Sequence, residues 1–190
     1  GDKKVFRIVI GGNGSWTGGG TGPITCVNPY NDSLPNTGYV YSGNLGKRDP
    51  RYVGDAVAHE AGHGFGLNHQ SSYSGTYKTA AYNQGNSAIA PLMGNSHYAQ
   101  RSLWWYGQTE ASSSTYQDDL AVLGNSIGYR NDDYGNWTNS AANLSLSGTY
   151  ASASGVIERT GDSDFFSFYT GGGNVSFTAK SGRVTGFLGP

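Results

Sequence analysis

His59-Glu60-Ala61-Gly62-His63-Gly64-Phe65-Gly66-Leu67-Asn68-His69 gathers three of the chain's four histidines into eleven residues. On a helix, His59 and His63 stand four positions apart, so both imidazoles leave the same face and can share one metal ion. Glu60 is turned by about 100° around the axis from His59, which suits a carboxylate that reaches a water on the metal without ligating the metal. The helix cannot supply a third ligand in that direction. Gly66 solves this, because without a Cβ it can turn left-handed, break the helix and let His69 return to the ion from outside. Three neutral nitrogens and one open position are the donor set of a catalytic zinc, whereas a structural zinc is closed by a fourth protein ligand. Such an ion lowers the pKa of its water to about 7 and polarises a carbonyl, while the neighbouring carboxylate takes the proton.

The elements that must hold this segment follow from local signals. Residues 5–10 (Val-Phe-Arg-Ile-Val-Ile) read as a β-strand, and Gly11-Gly12-Asn13-Gly14 stops it. No register of the glycine-rich stretch 11–22 gives G-x-G-x-x-G and no P-loop lysine follows, so it is a turning loop and not a phosphate cradle. Residues 38–42 form a second, aromatic strand. Asp49-Pro50 supplies an N-cap and a first-turn proline for a helix that carries Val53, Ala56, Val57 and Ala61 on one stripe and ends at Gly66. Residues 70–92 lack a period and read as an irregular loop with room for one short helical turn. A second helix is expected from the capping box Ser114-x-x-Gln117, with Tyr116, Leu120, Leu123 and Ile127 on its apolar face and Gly128 at its end. Beyond Arg130, short strand-like pieces at 142–146, 155–158, 164–169 and 174–179 alternate with Gly and Ser. That is β-sandwich grammar, with a domain boundary near 130–137.

Composition narrows the partners. Charged side chains are 13% of the 190 residues, about half the usual share, so solubility rests on small neutral polar groups, as on many extracellular surfaces. A net charge of -1 and a pI near 6.4 give no positive field for phosphates, which excludes nucleic acid and anionic membrane as partners. The apolar runs are too short for a spanning helix or a signal-peptide core within this chain. Secretion is therefore expected to depend on a leader outside it. Cys26 is alone, so no internal disulfide can form, and it is expected to be a small buried side chain.

HEAGHGFGLNH resembles the HExxHxxGxxH signature of the metzincin zinc endopeptidases. Ala90-Pro91-Leu92-Met93-Gly94, beginning 21 residues after His69, resembles their Met-turn. Residues 131–179, with Tyr134-Gly135-Asn136, Gly155-Val156-Ile157 and Asp162-Ser163-Asp164-Phe165-Phe166-Ser167-Phe168, resemble the pre-peptidase C-terminal type of β-sandwich that trails many secreted bacterial proteases. The resemblance implies an α+β fold: a metzincin-like catalytic domain over 1–130, lacking its first strand and helix, then a truncated β-sandwich over 131–190. It implies a zinc-dependent endopeptidase acting on protein or peptide, with His59, His63 and His69 as zinc ligands, Glu60 as general base and then acid, and Met93 as an apolar floor beneath the metal.

The sequence departs from that pattern in places. Astacin-like and serralysin-like members carry a zinc-proximal tyrosine two residues after the methionine, where this chain has Asn95. Tyr98 is the next candidate to lean toward zinc or an oxyanion, and a plain wall or core role is equally open. His97 reads as an exposed loop histidine. Tyr39-Val40-Tyr41 matches the edge strand that pairs with an extended substrate, with an ordinary sheet strand as the other reading. Metzincins carry a further strand and a long backing helix before the strand that residues 5–10 resemble. The chain is accordingly expected to be a fragment, cut inside both domains, and a pro-segment, if there is one, lies outside it. Asp132, Asp133, Asp162 and Asp164 suit calcium, and turn formation explains them as well. The rival reading is a surface-binding or adhesion module with a vestigial zinc site, against which an intact Glu60 speaks.

Overall fold

A computed structural model describes residues 5–18, 22–46 and 48–180. The chain divides into two compact units, residues 1–128 and 129–190. In the first, β1 (Arg7–Ile10) runs parallel to β2 (Thr37–Val40), with Ile10 opposite Val40. Ile24 pairs antiparallel with Tyr39 on the other side of β2, through reciprocal N–H to C=O bonds of 2.9 Å. β2 is thus an interior strand, and the stretch around Ile24 forms the edge.

Helix α1 (Pro50–Gly64) packs on this sheet. Its start follows the expected chemistry: the Asp49 carboxylate accepts from the Arg51 N–H at 2.8 Å, and Pro50 fills the first turn, where a missing N–H costs nothing. Ala56 is buried with Val40 and Leu45, and Ile8, Tyr52, Val53 and Val57 close around them. The helix ends in a turn in which Leu67 N–H returns to the Gly62 carbonyl at 2.9 Å and Gly66 sits at φ +105°, a conformation that L side chains rarely adopt.

Beyond His69 the structure departs from the sequence reading. Residues 70–92, expected as irregular loop, contain the antiparallel hairpin β3 (Ser72–Ser74) and β4 (Tyr77–Ala80), followed by β5 (Ile89–Pro91), which runs parallel to β6 (Arg101–Leu103). Long-range pairing makes these strands, so no local period announces them. The second helix is shorter than expected. Tyr116–Asp118 is β8, antiparallel to β7 (Tyr106–Gln108), and α2 spans only Asp119–Ile127, capped by Asp118 and closed by Gly128 at φ +82°. Gln117 serves in place of the capping box as a clamp: it accepts from Asn68 N–H at 2.9 Å, donates to the Asn68 carbonyl at 3.0 Å and to Asp119 Oδ1 at 2.9 Å. Asp119 is fully buried and also accepts from Gln70 and from the Trp105 N–H. Cys26, expected to be buried, is exposed beside the edge segment.

The second unit, among the described residues, holds one two-stranded pairing, β9 (Ala142–Asn143) parallel to β10 (Phe166–Ser167), and an isolated bridge between Ser147 and Tyr150. The expected pieces at 155–158 and 174–179 carry no strand there. Tyr134 packs edge-on against Phe166, with ring centroids 4.5 Å apart. The carboxylates considered for calcium fall into two groups, Asp132 with Glu158 and Asp162, and Asp132 with Asp133 and Asp164, each within 4.8 Å.

Candidate metal centre

α1 presents His59 and His63 from adjacent turns, and the chain reversal at Gly66 brings His69 to them. One ligand atom from each lies within 4.8 Å of the others. Each ring is held from behind. His59 Nδ1 donates to the Leu92 carbonyl at 2.8 Å, His63 Nδ1 to the Leu67 carbonyl at 2.7 Å, and His69 Nδ1 to Glu110 Oε2 at 2.9 Å. Since neither a carbonyl nor a carboxylate can donate, these bonds place a proton on Nδ1 in all three rings and turn the three Nε2 atoms toward one another as the metal-facing nitrogens. His63 Nε2 and His69 Nε2 are 3.0 Å apart, close enough to share one cation. The donor set therefore fits a zinc ion with three nitrogens.

Electrostatics keep the ligands ready. Burial, and then His63 beside it, lower the His59 pKa to about 3, and burial lowers that of His63. Both stay neutral and able to coordinate. Glu60, 3% exposed, has its pKa raised by burial to about 7, with the Thr25 side chain acting the other way, and its Oε2 has no hydrogen-bond partner. Met93 is fully buried beneath the helix at Gly62, and the Met-turn also supplies the Leu92 carbonyl that holds His59.

The histidines and Glu60 open into a cavity of about 460 Å³, whose walls include Gly22, Pro23, Ile24, Thr25 and Tyr82. Tyr82 packs on His69 at 4.4 Å between ring centroids and lies 6.4 Å from His59. Tyr98 is 78% exposed, stacks edge-on against Tyr52 and is not among the residues that line the cavity. His97, read as an exposed loop residue, does line it and is half-buried against Tyr52. Tyr39, Val40 and Tyr41 are not a free edge, since Tyr39 is paired to Ile24 and the other two are buried. The outer edge belongs to residues 22–25. Sequence reasoning missed Tyr82 and Glu110 because no spacing ties them to the histidines.

Residues 10–101 match the family model described as metallo-peptidase family M12B, reprolysin-like, a stretch that holds β2, α1, the three histidines, Glu60 and Met93. No curated protein and no solved structure matches the chain. The match and the three-histidine group together support a zinc metallopeptidase. No helix among the described residues is long and apolar enough to cross a membrane.

Proposed function

We propose that this chain acts as a secreted zinc endopeptidase in which Glu60 is the general base and then the general acid. The observation that carries the reading is the convergence of three Nδ1-tethered imidazoles beside a buried carboxylate whose Oε2 is unpartnered. When bound, zinc supplies Lewis acidity, polarising the scissile carbonyl and acidifying water. Glu60 takes the proton of the attacking water and hands it to the departing amine, and its pKa near 7 suits both transfers. Tyr82 lies on the cavity wall over His69, where its hydroxyl can donate to the oxyanion that develops on the carbonyl. Residues 22–25 offer the outer edge of the sheet to the main chain of an extended substrate.

The test is cleavage of a quenched peptide library by the full-length protein and its Glu60→Gln variant, with zinc content measured in both. Glu60→Gln should retain zinc and lose roughly 10² to 10⁴ in rate. Equal cleavage by the two proteins, or none by a zinc-loaded, fully processed parent, overturns the reading in favour of a binding module.

A further inference from the structure

Beyond the histidines, the cavity continues along α1 to Asp55, one helical turn before His59 and on the same face. Gly94, Asn95, Ser96 and His97 form the facing wall. Ser96 Oγ donates to Asp55 Oδ2 at 3.0 Å and Ser102 Oγ to the same atom at 2.8 Å. Both bonds fall on one oxygen, so the carboxylate is fixed in orientation while Oδ1 is used by neither serine. On the facing wall, Asn95 Oδ1 and His97 Nδ1 are buried and have no hydrogen-bond partner. Burial holds the His97 pKa below the usual histidine range, so this ring adds no positive charge to the wall. No lysine or arginine lines the cavity among the described residues. Buried polar groups are normally satisfied, and a cavity end that holds a carboxylate with a free oxygen and no cation among its lining residues is complementary to a group that brings donors and a positive charge.

We propose that this end of the cavity is a specificity pocket for a cationic side chain of the peptide substrate, arginine ahead of lysine, adjacent to the scissile bond. Successive residues of an extended peptide lie about 3.3–3.6 Å apart, and one helical turn from His59 to Asp55 is about 6 Å. A side chain flanking the reacting carbonyl therefore reaches Asp55 while the carbonyl stays at the histidines. A guanidinium presents five donors in a rigid planar fork that matches a carboxylate two bonds at a time, and Asp55 Oδ1 is not used by the serines. An ammonium makes fewer of these contacts.

The pocket rests on the peptidase reading, and the test separates the two. Zinc-loaded full-length protein carrying Glu60→Gln is titrated by fluorescence anisotropy with a peptide that differs only by arginine or leucine at the flanking position, so binding is read without turnover. Arginine should bind about tenfold to hundredfold more tightly, the range of a hydrogen-bonded charge. Adding Asp55→Asn, which keeps the serine bonds, should remove most of that preference at unchanged zinc content. Adding His97→Leu, on the other wall, should weaken it in the same direction. Equal binding of the two peptides, or a preference that survives Asp55→Asn, overturns the pocket. Cleavage by the protein with Glu60 intact reports on the peptidase reading: turnover without arginine preference sinks the pocket alone, and arginine-selective binding without any turnover sinks the peptidase reading alone.

Discussion

Glu110 holds His69 at two points: its backbone N–H donates to the His69 carbonyl at 3.1 Å, and its carboxylate Oε2 accepts from His69 Nδ1 at 2.9 Å. The two helical ligands are backed by carbonyls and positioned by α1 itself, whereas the third leaves the helix and depends on a residue 41 positions away. Removing the carboxylate frees the His69 ring and its tautomer. Glu110→Ala should weaken zinc binding by roughly ten- to hundredfold in chelator competition, the usual loss for such a partner. Glu110→Gln retains an acceptor and should lose less. An unchanged zinc affinity in Glu110→Ala would remove Glu110 from the centre.

Tyr82 and Tyr98 make opposite predictions. Tyr82 lies over His69 inside the cavity, and burial, with Glu110 and Glu60 nearby, raises its pKa, so its hydroxyl stays protonated as a donor. Tyr82→Phe keeps the ring packing and removes only that donor. Its kcat should fall by roughly tenfold to a hundredfold, below the range typical of a main oxyanion donor, at near-constant KM and zinc content. Tyr98→Phe should be silent, and a larger loss there than at Tyr82 would reverse the assignment.

The part of the site that is legible in the sequence is the part encoded in one short stretch, Asp49 to His69. Asp49, Pro50, the apolar stripe, His59, Glu60, His63 and Gly66 all obey the helical period or its termination rules, and His69 follows from the turn. What supports these residues comes from far along the chain. Gln117 clamps Asn68 across 49 positions and Leu92 holds His59 across 33, and no local signal encodes either contact. Gln117 shows why the second helix begins later than the sequence suggests: its capping-box spacing is genuine, but pairing with β7 and the bonds to Asn68 and Asp119 draw it into a strand. The outer position in the sheet is likewise set by distant pairing. Tyr39–Tyr41 have the aromatic, β-branched composition of an edge strand, yet Ile24, next to a glycine-rich loop, takes the outer position.

Without metal, Glu60 and His59 act on stability in opposite senses. In the folded chain Glu60 holds its proton to about pH 7, against an ordinary value of 4.5, because burial disfavours the charge. The folded state therefore binds more protons between these values, and the stability present below pH 4.5 is lost as the pH rises through 7. His59 takes its proton only near pH 3, against 6.5 when unfolded, so its contribution is present above 6.5 and lost as the pH falls toward 3. Glu60→Gln in chelator should match the parent near pH 4.5 and exceed it above pH 7, by on the order of 3 kcal/mol at most. Thermal melts at both pH values check this, and a constant difference would mean that Glu60 is not desolvated.

Two glycines of α1 separate helix propensity from packing beneath the histidines. Replacing a helical glycine by alanine ordinarily gains about 1 kcal/mol. At Gly54, exposed and with nothing within 4 Å of an added Cβ, Gly54→Ala should collect that gain as a higher melting temperature. At Gly62 the same Cβ would stand 2.6 Å from Met93 Sδ and 3.0 Å from Leu67 Cδ1, and both side chains are fully buried. Overpacking of this kind costs typically about 1–3 kcal/mol, which outweighs the propensity gain, so Gly62→Ala should lower the melting temperature by several degrees. Met93 is joined directly to Leu92, whose carbonyl holds His59 at 2.8 Å, so displacing the methionine disturbs that tether. Zinc affinity should therefore fall together with stability in Gly62→Ala and stay level in Gly54→Ala. If both variants gain stability alike, the methionine does not pack under the helix and the floor beneath the histidines must be assigned elsewhere.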